Sequence, residues 1–177
     1  MEKLRIGTGY DVHAFASGRD LILGGVTIPY ELGLMGHSDA DVLAHALADA
    51  LLGAARVEGA RDIGEIFPDT DNTFKDADSI ELLREAGRVV TEAGFTFIDA
   101  DCVLIAQEPK LSPHREEMRK NLAQALAVDV SMIGLKATTT EGLGFAGRKE
   151  GIAAQATVLL SASRLASEHL DHNDHMM

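Results

Sequence analysis

The chain has 177 residues, 46% of them apolar and 25% charged, which fits one soluble domain with a buried core. Its formal net charge of −12 argues against binding a nucleic-acid backbone or an anionic membrane surface, and it holds neither a bilayer-length apolar run nor a signal-peptide pattern, so a cytoplasmic protein is expected. Cys102 is the only cysteine, which excludes an intrachain disulfide and a thiolate metal cluster and leaves any metal to His, Asp and Glu.

Leu4 to Phe15 reads as a strand, and LILGGVTI, from Leu21 to Ile28, as a short hairpin turning at Gly24 and Gly25. Ser38 is read as opening a helix, with Asp41 three residues on as in a capping box, and Val42, Leu43, Leu47 and Leu51 carry it to about Ala55. Arg56 to Lys75 is polar and broken by Gly59, Gly64 and Pro68, a loop long enough to point to function. A second helix runs from about Ser79 to Ala93 and ends at Gly94, FTFIDADCVLIAQ follows as a strand, and Ser112-Pro113 starts a third helix through about Leu126. MIGLKATTT and GIAAQATVLLS give two more strands around the loop EGLGFAGRKEG. The expected fold is α+β: one domain over residues 1–163, a mixed sheet with helices on one face close to the split βαβ or ferredoxin-like pattern, and a polar, disordered tail over 164–177. Oligomerisation would cover the other face of such a sheet.

Three stretches carry unusual polarity. In GYDVHAF, Asp11 and His13 stand two apart and so share one face of a strand, either as a strand-end pair or as half of a metal site. His37, Asp41, His45 and Asp49 follow at spacing four, which puts them on one face of the predicted helix, solvated or ligand-bearing. Asp11, His13 and His45 together would make a set suited to zinc with one position open, and Asp49 is placed to accept from an imidazole and orient it. Asp62, Asp69 and Asp71 crowd one loop, as turn formers or as ligand contacts. In KATTTEGLGFAGRKEG, threonine hydroxyls and backbone N–H groups can cradle phosphate, Glu141 can hold magnesium, and Arg148 can pair with phosphate oxygens.

Taken together, GYDVHAF, GGVTIPYELGLMGHSDADVLAHALADALLGA, DIGEIFPDTD, IAQEPKLSPH and KATTTEGLGFAGRKEGIAA keep their order over residues 4 to 161 and resemble the 2-C-methyl-D-erythritol 2,4-cyclodiphosphate synthases of the non-mevalonate isoprenoid pathway. The resemblance implies a homotrimer with sites between subunits, which converts 4-diphosphocytidyl-2-C-methyl-D-erythritol 2-phosphate to the cyclic diphosphate and CMP. By the same resemblance Asp11, His13 and His45 hold zinc, and Glu141 holds magnesium or manganese. Asp11, His13, His37 and Ser38 contact substrate; Asp62, Ile63 and Gly64 hold the methylerythritol part; and Phe67, Pro68, Asp69, Thr70 and Asp71 reach phosphate and sugar. Ala106, Gln107, Glu108 and Pro109, followed by Lys110, Leu111 and Ser112, form the wall of the cytidine pocket. Thr138, Thr139, Thr140, Phe145 and Arg148 complete the substrate contacts, with His37 and Thr139 as the catalytic pair. The connection RVEGAR before Asp62 is longer than the resemblance leads one to expect, and His169, His172 and His175 in the tail lie outside it.

The implied chemistry fits the composition. An anionic 2-phosphate must attack an anionic diphosphate, and divalent cations are the natural remedy for their repulsion. A zinc phosphohydrolase using the same ligands on water, and a non-catalytic nucleotide- and metal-binding trimer, are the rival readings.

Overall fold

Two glycines of the first strand leave no room for a side chain, and that absence places the main helix. The strand is β1 (Lys3–Ala16); a Cβ on Gly7 would lie 2.1 Å from the carbonyl oxygen of Ala50, and one on Gly9 would lie 2.0 Å from that of Ala46. The computed structural model describes residues 3–67 and 78–162. After β1 come the hairpin β2 (Leu21–Leu23) and β3 (Val26–Ile28), the short β4 (Gly33–Leu34), the helix α1 (Val42–Ala55) that rests on those glycines, and one turn of helix, α2 (Ile63–Ile66). Then follow α3 (Ser79–Glu92), β5 (Phe95–Ile105), α4 (Arg115–Leu126), β6 (Ile133–Thr138), the one-turn α5 (Gly144–Gly147) and β7 (Gly151–Ala162).

The five-stranded sheet has the order β4-β1-β7-β5-β6, with β5 and β6 parallel and the other pairs antiparallel. It is mixed, as expected. Strands β1 and β5 both run antiparallel to β7, which lies between them, so β1, its helices and β5 form one split βαβ unit. The second unit, β5-α4-β6, is not split, because β6 lies directly beside β5, and there the order departs from the ferredoxin-like pattern.

Helices α1, α3 and α4 cover one face, packing on β1 and β7, on β5 and on β6 respectively. Small residues make this close: Ala46, Ala50 and Ala54 meet the glycines, and Ala154 and Ala156 of β7 are fully buried. On the opposite face Leu4, Ile6, Tyr10 and Val12 are 57%, 63%, 52% and 44% exposed, an apolar stripe with no helix over it among the described residues.

The helix start expected at Ser38 is overturned. Ala40 stands at φ 59°, in the left-handed region where a helix cannot propagate, and Asp41 is the cap, its side chain accepting from the N–H groups of Leu43 and Ala44. His37 therefore lies before the helix, and the helical spacing of four holds only from the cap Asp41 through His45 to Asp49. The hairpin turn falls at Gly24 and Gly25 as expected, at φ 56° and 68°. Asp41 ties it down, accepting from the Gly25 N–H at 2.8 Å. The lengthened connection RVEGAR forms a tight turn, with a bridge between Val57 and Ala60 and Gly59 at φ 74°. Pro68, Asp69, Thr70 and Asp71, and the tail from residue 163, lie outside the described residues.

Asp41 is fully buried, and burial pushes its carboxyl up to about 6 against the N–H groups of Gly25, Gly24 and Ala44, which favour the anion. Asp41→Ala removes a helix cap, worth about 1 kcal/mol, and takes the partner from the N–H of buried Gly24, at about 1 to 3 kcal/mol more. A loss of about 2 to 4 kcal/mol is expected in denaturant unfolding at pH 8.

Candidate metal centre and nucleotide loop

The strand-to-helix register that packs Gly9 on Ala46 also builds the candidate metal centre. Two strand residues advance about 6.6 Å and one helical turn about 5.4 Å, so one step beyond Gly9 on β1 meets the first turn of α1. Asp11 and His13 stand on the same face of β1 as Gly7 and Gly9, and His45 projects from that first turn. Asp11 Oδ2 lies 3.2 Å from His13 Nε2 and 3.0 Å from His45 Nδ1, and the three donor atoms fall within 4.8 Å of one another. Donors on a tetrahedral zinc ion stand about 3.3 Å apart, so an Asp-His-His set at these distances fits a divalent cation with a fourth position left open.

The electrostatics favour a cation there. Burial pushes the Asp11 carboxyl up, but hydrogen bonds and charge from His13 and His45 outweigh it and hold the group well below the usual carboxylate range. Burial would lower His45, yet the hydrogen bond and charge of Asp11, with the charges of Asp41 and Asp39, raise it. A proton and a metal ion answer the same negative field and compete for the same nitrogen. A divalent cation binds the neutral ring, so with His45 raised its affinity should begin to fall above the ordinary imidazole value of about 6.5 as pH drops, while Asp11 stays ionised. Chelator competition between pH 8.5 and 5.5 checks this, and an affinity unchanged down to pH 6 would contradict it.

Residues around the set are held by contacts that spacing does not announce. Arg19 donates to the carbonyls of Gly36 and Ser38, one on each side of the exposed His37, and so holds the backbone there. Ser38 is buried and its Oγ lies 3.4 Å from His45 Nε2. Asp49 was expected to orient the imidazole; its Oδ1 instead accepts from the Ile63 N–H at 2.9 Å and anchors α2. Burial raises its carboxyl, with the Ile63 bond opposing. Asp62 caps α2 through the Glu65 N–H, which places Asp62, Ile63 and Gly64 on a short helix tethered one turn from His45. The nearest partner of His45 Nε2 is Ser79 Oγ at 2.9 Å, and Ser79 also bonds Asp39. Sequence reading missed Arg19, Asp39 and Ser79, because each acts across a gap of 17 to 40 residues that no motif spans.

The second cluster lies at the same end of the sheet. Ala106 leaves β5 hydrogen-bonded to the Thr138 carbonyl, Gln107 accepts from the Gly142 N–H at 3.3 Å, and Glu108 pairs with Lys149 at 2.7 Å. These contacts clamp the 106–112 loop onto the turn after β6. In that turn Glu141 sits at φ 53° and accepts from Thr139 Oγ1 at 2.7 Å, while Thr140 Oγ1 donates to the Leu143 carbonyl. Glu150 accepts from Arg148 at 2.8 and 3.1 Å, so phosphate would have to displace a carboxylate. Leu111 and Ser112 line a cavity of about 150 Å³ with Leu104, Met118 and Ala137. Val12, Ala153, Ile105 and Thr138 stand in one row across β1, β7, β5 and β6, so the metal set and the Thr138–Glu141 turn lie three strand spacings apart, about 14 Å.

The donor set defines the class first: a protein that can hold a divalent cation on two imidazoles and a carboxylate with a position left for a ligand. The family model of the YgbB family matches residues 4–161, and the chain belongs to that family. It is 60% identical over 156 residues to the 2-C-methyl-D-erythritol 2,4-cyclodiphosphate synthase of Bacillus velezensis, covering 88% of this chain and 97% of that one. Among solved structures, the bifunctional IspDF from Campylobacter jejuni superposes with a TM-score of 0.86 at 49% identity, over 92% of this chain and 43% of that longer one. The Plasmodium falciparum IspF complex with CDP superposes at 0.78 with 34% identity, over 93% of this chain and 99% of that one.

Proposed function

We propose that the chain converts 4-diphosphocytidyl-2-C-methyl-D-erythritol 2-phosphate to 2-C-methyl-D-erythritol 2,4-cyclodiphosphate and CMP, as a lyase of the non-mevalonate isoprenoid pathway. The observation that carries this is the Asp11, His13 and His45 set, in a chain 60% identical to a synthase of that name. A 2-phosphate oxygen attacks the β-phosphorus, the bond from that phosphorus to the bridging oxygen breaks, and CMP leaves with the oxygen. No external water enters the product.

Zinc on Asp11, His13 and His45, and magnesium or manganese on Glu141, would neutralise the phosphates that must approach one another. Glu141 suits the second cation because magnesium is usually held by one or two carboxylates and substrate phosphates. The chain's own groups do the rest. His37, on the backbone that Arg19 holds, and Thr139, aligned by Glu141, orient the reacting phosphates and stabilise developing charge. Asp62, Ile63 and Gly64 hold the methylerythritol part, and the 106–112 loop receives the cytidine. A phosphate oxygen is already a nucleophile, so holding both ends of one molecule in a bent pose supplies up to about 7 to 11 kcal/mol without a general base.

The active form in this reading is a homotrimer. Two half-sites about 14 Å apart in one chain cannot both grip one diphosphate, and the apolar stripe of Leu4, Ile6, Tyr10 and Val12 needs a cover. A cyclic assembly about that face meets both needs, setting the metal set of one subunit against the nucleotide loop of the next. No helix among the described residues is long and apolar enough to cross a membrane, and the reading is of a cytoplasmic enzyme.

The test is release of CMP from the diphosphocytidyl substrate with and without chelator. CMP that appears with metal and stops with chelator is expected; binding of CDP and zinc without CMP release would favour the non-catalytic reading.

A further inference from the structure

A neutral imidazole carries one N–H and one lone pair, and only the lone pair can ligate a metal. The structure engages both ring nitrogens of His45: Nδ1 faces Asp11 Oδ2 at 3.0 Å, and Nε2 faces Ser79 Oγ at 2.9 Å. Which nitrogen holds the proton therefore decides whether His45 can join Asp11 and His13 around one ion.

Ser79 has one hydroxyl proton, and Asp39 claims it. Ser79 Oγ hydrogen-bonds Asp39 Oδ1, and the Ser79 backbone N–H donates to Asp39 Oδ2 at 3.1 Å, so both carboxylate oxygens grip one residue. Asp39 Oδ1 also takes the Asp41 N–H at 3.2 Å, at the start of α1. An ionised carboxylate only accepts, so the serine proton points to Asp39 and the serine oxygen is left to accept from His45. Nδ1 likewise faces an acceptor, Asp11 Oδ2, so a metal ion that takes the place of the proton there leaves the one N–H of the neutral ring at Nε2, aimed at the serine oxygen. Ser38 Oγ is a weaker partner, at 3.4 Å from Nε2 and already accepting from the Ala40 N–H. Ser79 is fully buried, which removes water as a competitor for either bond.

We infer that Asp39 and Ser79 are positioning residues that receive the His45 Nε2–H and so hold Nδ1 toward the metal. The inference rests on the reading of Asp11, His13 and His45 as a metal site. It also ties the first turn of α3 to the centre, so the helix reports on the site without touching substrate. Carboxylate or hydroxyl partners of a ligating histidine typically change metal affinity about 10 to 100-fold, and Ser79→Ala and Asp39→Asn should both fall in that range. Asp39→Asn keeps the shape but offers an N–H to Ser79 Oγ, which frees the serine proton to turn toward Nε2.

The experiment uses the full chain labelled with ¹⁵N in its histidines. Two-bond proton–nitrogen spectra of the zinc-loaded protein should show wild-type His45 with its proton on Nε2. Asp39→Asn and Ser79→Ala should each lower zinc affinity, read by chelator competition, about 10 to 100-fold. Ser79→Thr keeps the hydroxyl and should restore the affinity, which a loss of packing alone would not produce; melting of the metal-free variants identifies any that fail to fold. A proton on Nδ1 in the zinc-loaded protein, or zinc affinity unchanged in folded Asp39→Asn and Ser79→Ala, overturns the inference. A wild-type protein that takes up no zinc overturns the metal reading instead.

Discussion

His45→Ala protein is expected to be purified without zinc and to release CMP at least about a thousandfold more slowly than wild type. A divalent cation contributes several kcal/mol of charge stabilisation, and each 1.36 kcal/mol is tenfold in rate. A site left with Asp11 and His13 alone cannot hold zinc against buffer and solvent. The substitution also strips the Ser79 hydroxyl of a partner, so part of any loss could be loss of fold, at about 1 to 3 kcal/mol. Metal content and thermal melting of the same preparation separate the two. A folded, zinc-free His45→Ala protein with full activity would remove zinc from the mechanism.

The second large effect is recovery of activity from two dead proteins. In the proposed reading His13→Ala spoils the metal half-site and Glu141→Ala the nucleotide half-site; His13 lies on β1 and Glu141 beyond the end of β6, with β7 and β5 between. If each working site draws one half from each of two neighbours, refolding an equal mixture of the two chains should restore sites that neither parent has. In the proposed cyclic trimer, mixed assemblies would make up about three quarters of the total and each would hold one intact interface, so about a quarter of all sites should recover. Mixed trimers showing only the summed residual activities of the parents would put the whole site within one subunit.

Much of the metal set was legible because it depends on local periodicity. Asp11 and His13 share a strand face whatever the sheet does with the strand, and the hairpin at Gly24 and Gly25 was legible because two adjacent glycines meet the demand for positive φ. The start of α1 was not. Ser38 and Asp41 satisfy the spacing of a capping box, but the left-handed Ala40 between them is set by tertiary contacts: Arg19 on the Ser38 carbonyl and the hairpin on the Asp41 carboxylate. The order of the sheet is equally silent in the sequence, since nothing in the alternation of β7 says that it inserts between β1 and β5. Asp49 and Ser79 make the point for side chains. Asp49 has the helical spacing to reach His45 yet bonds Ile63, whereas Ser79, 34 residues away from His45 and on another helix, reaches the ring.

Cyclisation and hydrolysis leave different atoms in the product, and that difference tests the account most directly. The purified, metal-loaded protein is given the diphosphocytidyl substrate in ¹⁸O-water, and the products are followed by phosphorus NMR and weighed by mass spectrometry. The account predicts CMP together with a cyclic diphosphate, neither carrying solvent oxygen, in amounts that stop rising when metal is chelated. A linear phosphorylated product bearing ¹⁸O would contradict it and make the same Asp11, His13 and His45 centre that of a hydrolase.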